Sequence, residues 1–142
     1  MRSLALKNIH CFILCGFVAV SLAGCVKTAE ELSAESEHKS IISTVENYQS
    51  TYRHILTQAK NCFAGPVSLT VSNKVEGQLF GELGFGEISY YMDNLADMHF
   101  AYVKVEQDGT GAQVSISTGS QPAWANEQLL NQIEGWVKGG SC

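Results

Sequence analysis

The sequence predicts an α+β fold: an antiparallel four- or five-stranded meander sheet, with an N-terminal and a C-terminal helix packed on one of its faces. Three observations carry this. Apolar residues recur at helical spacing from Ile41 to Ala59. From Val67 to Thr118 the period drops to two, in segments divided by short turn signals. A second helical stripe follows Pro122 and stops at Gly139-Gly140.

The first helix is read from Ile41, Val45, Tyr48, Tyr52, Ile55 and Ala59, which lie on one face and lead to Cys62. Glu46, Gln49, Ser50, Arg53 and Gln58 fall mainly on the other faces, and His54 is expected to face solvent. Gly65-Pro66 is its stop signal. Val67, Leu69 and Val71 then alternate with Ser68, Thr70 and Ser72, the pattern of a half-buried strand. A second strand is expected over Val75 to Leu83, with Gly77, Leu79 and Gly81 on one side and Glu76, Gln78 and Phe80 on the other. Two glycines on one strand face suggest a bulge or a closely packed helix. Gly84-Phe85-Gly86 reads as a hairpin turn.

The third strand runs from Glu87 to Met92, with Ile88, Tyr90 and Met92 inward. The fourth runs from Met98 to Gln107. It places His99, Ala101, Val103 and Val105 opposite Met98, Phe100, Tyr102 and Lys104. After the turn Asp108-Gly109-Thr110-Gly111, the fifth strand sets Ala112, Val114 and Ile116 against Gln113, Ser115 and Ser117. Leu129, Ile133 and Trp136, flanked by Leu130 and Val137, form the stripe of the closing helix. The domain so defined covers 40–142.

What precedes it decides where the protein acts. Arg2 and Lys7 make a basic start, and an apolar run from Cys11 to Ala23 follows. The run falls short of the roughly 20 residues that a membrane span needs, so 1–24 reads as a cleaved secretory signal. Leu22-Ala23-Gly24-Cys25 resembles the lipobox of bacterial lipoproteins. That resemblance implies cleavage before Cys25 and acylation of its thiol, often of its new amine too. The expected site residue for lipid attachment is therefore Cys25, and the membrane is the expected partner through its acyl chains. Two or more chains give lasting attachment. Val26 stands where an Asp would resemble an inner-membrane retention signal, which points to the outer membrane, facing the periplasm, in a Gram-negative cell. Residues 25–39 are polar and lack an apolar stripe, so they read as an acylated tether, although their helix propensity could extend the first helix backwards.

Removing 1–24 leaves 118 residues, one domain's worth, with seven basic against fourteen acidic side chains and a net charge of −7. That balance argues against nucleic acid and against electrostatic attachment to anionic lipid. Of the five cysteines, Cys11 and Cys15 leave with the signal and Cys25 takes lipid. Cys62 and Cys142 remain, a pair read as a disulfide in an oxidising compartment, the alternative being two free thiols. A bridge would join the ends of the two helices.

No motif promises catalysis, and no cofactor or metal is expected. Gly81 to Gly86 follows the order G-x-x-G-x-G between two strands, which fits a hairpin better than a phosphate loop. His38, His54 and His99 lack ligand spacing. Asp97 and His99 share a strand face and could make a weak metal or acid–base site, but a polar cross-strand pair is the plainer reading. Phe80, Phe100 and Tyr102 fall on the side opposite the aliphatic residues and form the candidate surface patch. A one-residue register slip would turn that side into the core.

Beyond the lipobox, Asn47-Tyr48-x-x-x-Tyr52-Arg53-x-Ile55, Cys62, Gly77-Gln78-Leu79 and Trp136-x-x-Gly139 before a terminal Cys142 resemble a family of small proteobacterial lipoproteins without an assigned activity. The resemblance implies an envelope lipoprotein and transfers no catalytic residue. The expected function is a membrane-anchored, non-enzymatic module that binds an envelope protein. The alternative is a binder of a small apolar ligand or lipid between sheet and helices.

Overall fold

The computed structural model describes residues 28–142. The signal segment and Cys25 lie outside the described residues. The elements are α1 (Ala29–Glu35), β1 (His38–Thr44), α2 (Tyr48–Phe63), β2 (Gly65–Pro66), β3 (Ser72–Phe80), β4 (Phe85–Asp93), β5 (Met98–Asp108), β6 (Gly111–Thr118) and α3 (Ala123–Val137). The fold is α+β. Its six strands form one antiparallel sheet in the order β1-β6-β5-β4-β3-β2. The chain starts at one edge with β1, crosses the sheet along α2, and returns strand by strand until β6 pairs with β1.

The strand count exceeds the expected four or five, and several elements differ from expectation. Ile41 and Val45 were assigned to the first helix, yet residues 38–44 form an edge strand and the helix starts at Tyr48. A spacing of four fits a strand's period of two as well as a helix's 3.6, so Ile41–Val45 could not distinguish them. Adjacent β-branched Ile41 and Ile42 favour the strand: Ile42 faces the core opposite Val114, and Ile41 faces out opposite Ser115. Asn47 stops the strand and caps the helix, its side-chain oxygen accepting the Ser50 amide at 2.9 Å.

The second difference is Val67–Ser72. Only Gly65–Pro66 pairs with β3, at Ser72 and Asn73. The Val67 and Ser68 amides both donate to the Val71 carbonyl and close a loop. Alternation tells which side a residue would face; it does not supply a partner strand.

The core lies between the sheet and the α2–α3 pair. Tyr52, Ile55 and Ala59 from α2 and Leu129, Ile133 and Trp136 from α3 pack onto Val75, Ile88, Val103, Val105, Val114 and Ile116. Gly77 and Gly86 let α2 come close: a Cβ on Gly86 would stand 2.6 Å from Tyr52 Cδ2, and one on Gly77 2.6 Å from its hydroxyl. Phe63, in the last turn of α2, stacks on Tyr90 at 4.6 Å and tilts against Trp136 at 5.1 Å. Cys62 beside it forms a disulfide with Cys142, Cα to Cα 5.8 Å, across 80 residues of sequence. The C-terminal tail is also held by His54, which is not free in solvent: its Nε2 lies 3.3 Å from the Gly140 carbonyl.

Residues 29–35, read above as tether, form a helix. Thr28 and Glu31 make a reciprocal capping box at its start. Leu32 is 1 % exposed, and a Cβ on Gly119 would strike its Cδ1. Ser36 follows, donating to the Thr118 carbonyl. One apolar residue in a polar run gave no periodicity to detect. Leu32→Ala is expected to lower stability by about 2 kcal/mol, the low end for a buried leucine. The urea midpoint measures this; a solvated tether would show no shift.

Candidate functional site

One face of the sheet carries α2 and α3. The other is the open face, and it holds the candidate patch. Register fixes its membership: Glu76, Gln78 and Phe80 from β3; Phe85, Glu87, Ser89 and Tyr91 from β4; His99, Tyr102, Lys104 and Glu106 from β5. α1 lies across the β5–β6 side of this face, and Leu32 fills the space beneath it.

The three patch residues expected from the sequence do not stay together. Phe80 and Tyr102 lie on the open face, partly buried. Phe100 is 7 % exposed and belongs to the core, 5.2 Å from the Tyr90 ring. A bulge is the reason. Tyr90 pairs with Ala101 and Tyr91 with His99, so Phe100 is the extra residue. Beyond the bulge the alternation of β5 is reversed. Phe100 joins Ala101 on the helix side, and His99 moves to the open face, its ring 5.2 Å from that of Tyr91. The predicted inward position of His99 is therefore exchanged with that of Phe100. Asp97 precedes the strand and is exposed, and the His99 Nδ1 is buried without a hydrogen-bond partner. The two do not form a site. Among the described residues, no three His, Cys, Asp or Glu side chains converge as a metal would need.

Phe85 takes the place of Phe100. It was assigned to a turn, but the turn is one step earlier: Gly81–Leu83 make a single 3-10 turn, and Gly84, at φ 73°, closes it. Phe85 then pairs directly with Phe80, and their rings stack at 4.6 Å. The Lys104 ammonium sits 5.0 Å from the Phe85 ring centre and 2.8 Å from Glu106. Gly84 as the left-handed residue was the available signal; it would have moved Phe85 from turn to strand.

Two diagonal tyrosine–carboxylate pairs border this cluster. Tyr102 donates to Glu87 at 2.6 Å, and Tyr91 to Glu76 at 2.7 Å. In each, the partner sits two residues from the position directly opposite, within reach of a long side chain. The hydrogen bond to Glu76, then burial, pushes the Tyr91 hydroxyl up to about 12. Burial first, then the bond to Glu87, raises Tyr102 further. Both hydroxyls stay neutral donors through the physiological range. A groove of about 430 Å³ runs along β3, with Lys60 on the helix side and Glu76, Gln78, Glu87 and Ser89 on the open side.

The titration has a sign. A hydroxyl whose pKa is higher in the fold than in the unfolded chain stabilises fully below the unfolded value, near 10. That contribution is lost as pH rises through the folded value, about 12 for Tyr91. Stability should thus fall more steeply above pH 10 in the native protein than in Tyr91→Phe/Tyr102→Phe. Urea midpoints at stepped alkaline pH test this; parallel curves would contradict it.

Comparison with protein-family models and with curated protein sequences found no match. Among the described residues, no helix is long and apolar enough to cross a membrane.

Proposed function

We propose that this chain is an envelope lipoprotein, anchored by acyl chains on Cys25 in the outer membrane of a Gram-negative cell, and that its domain is a non-enzymatic module that docks an envelope protein. The observation that supports docking is the Phe80–Phe85 stack on a sheet face that α2 and α3 leave uncovered. Lys104 adds a cation, and Tyr102 adds a phenol ring beside it. Aromatic anchors with a neighbouring cation and a polar surround are the composition of a protein-binding hot spot. The sequence-level support for the anchor is Leu22-Ala23-Gly24-Cys25.

The alternative, a small apolar ligand between sheet and helices, gains less support from the packing. That space is filled by Ile55, Ile88, Val103, Ile133, Trp136 and the Phe63–Tyr90 stack.

A photo-crosslinking residue at Phe85, introduced into the full chain in cells, tests the docking face. The expected result is a discrete adduct that is absent when the probe replaces Gln128, exposed on α3 across the sheet from this face. Identical patterns from both positions, or no adduct at Phe85, would contradict it.

A further inference from the structure

The sheet has two ends, and they differ. At one lie the Val67–Val71 loop and the loop between β4 and β5. Val67 is 59 % exposed, and Leu69 and Leu95 are fully exposed. The loops adjoin, since Ser72 pairs with Asp93, and Thr70, Val71, Asn94 and Leu95 line one shallow cavity of about 510 Å³. Met98, also exposed, follows at the start of β5. Trp124, 70 % exposed, begins α3 just after β6 ends at this same end. Lys74 is bonded to Asp93 here, and the exposed Asp97 stands between Leu95 and Met98. The opposite end exposes fewer large apolar side chains, Leu83 and Val45.

The chain enters the domain at the apolar end. Leu32 packs against Gly119, and Ser36 bonds the Thr118 carbonyl, both at the close of β6. Helical structure begins at Ala29, capped by Thr28. Cys25 lies three residue steps before Thr28, a reach of about 10 Å when extended. A lipid-bearing Cys25 therefore leaves the domain no long leash.

Resting on the reading of Cys25 as the acylated residue, we infer that the Val67–Leu69 and Leu95–Met98 loops seat in the lipid surface that holds the anchor. The occupant of this apolar end is the bilayer interface. Leucine side chains enter the acyl boundary, Trp124 lies at headgroup level, and the open face with Phe80 and Phe85 stands out from the membrane for its partner. With a net charge of −7 on residues 25–142, electrostatic attraction to anionic lipid does not drive the contact, which is apolar in origin and is not released by salt.

The test uses full-chain protein extracted from membranes and reconstituted in phosphatidylethanolamine–phosphatidylglycerol vesicles with brominated acyl chains. Leu95→Trp and Asp108→Trp are compared in a Trp124→Phe background, and the mass of the N-terminal peptide is read from the same sample. The expected result, after subtraction of the emission of the Trp124→Phe parent, which retains the buried Trp136, is a blue-shifted, at least twofold quenched emission for the residue-95 reporter, none for the residue-108 reporter, and no loss of quenching with added sodium chloride. Leu69→Glu added to the residue-95 reporter should remove most of the quenching; both positions are exposed, so the fold is retained. An acylated peptide without residue-95 quenching overturns the seating and leaves the anchor standing. Quenching without acylation supports the seating and removes the anchor. Neither signal overturns both.

Discussion

Reduction of the Cys62–Cys142 bond is expected to destabilise the domain by about 4 kcal/mol, the chain-entropy value for a loop of this length. The effect acts mainly on the unfolded state: once the bridge opens, the loop it closes, over a sequence separation of 80, regains its freedom. Few contacts would be lost in the fold. Cys142 is the exposed last residue, and the packing around Phe63 does not depend on the bond. For a domain of about 115 residues, a loss of that size is a large part of net stability. Urea unfolding with and without dithiothreitol measures it. Cys142→Ser should match the reduced wild type and ignore the reductant. A wild type equally stable in both conditions would mean that the thiols are free.

Trp136→Ala is expected to cost a further 3–5 kcal/mol, the range for truncating a buried aromatic residue. Trp136 is 1 % exposed and joins α3 to Phe63 and, through the Phe63–Tyr90 stack, to β4. Its loss opens a void at the point where both helices meet the sheet. Trp136→Phe separates shape from polarity. The indole Nε1 is buried and finds no acceptor, so phenylalanine removes an unsatisfied donor along with part of the ring. The phenylalanine variant should therefore retain most of the stability, and thermal unfolding of the pair would show it. Equal destabilisation by both would imply that the N–H has a partner.

These expectations rest on parts of the molecule that the sequence showed with unequal clarity. The α3 stripe of Leu129, Ile133 and Trp136 was plain, because spacings of four and three exclude a strand. Strict alternation also sorted the residues of β3, β4 and β6 into two faces, while which face is covered stayed open to a one-residue slip. What was hidden had a physical reason each time. β1 was absorbed into a helix because four residues satisfy both periods. Leu32 carried no pattern, being a single apolar side chain on a two-turn helix. The patch was misassembled by one bulge at Tyr90–Tyr91 and one displaced turn at Gly84. A bulge depends on the pairing of two strands, and no single-strand pattern encodes it. Val67 and Leu69 were legible as hydrophobic but not as exposed, because exposure depends on what the rest of the chain leaves uncovered.

The proposed anchor would give this arrangement its orientation. With α1 folded onto the sheet, only Cys25, Val26 and Lys27 separate the proposed lipid from the capped helix. The domain would sit at the membrane instead of ranging above it. The face bearing Phe80, Phe85, Tyr102 and Lys104 would then be presented at a fixed height, which favours a partner in or beside the same membrane.

The mass of the N-terminal peptide from membrane-extracted protein tests this account most directly. The account predicts a chain that begins at Cys25, carries acyl groups, and leaves the membrane fraction when Cys25 is replaced by serine. A chain that retains 1–24, or a Cys25 free of lipid, would contradict it.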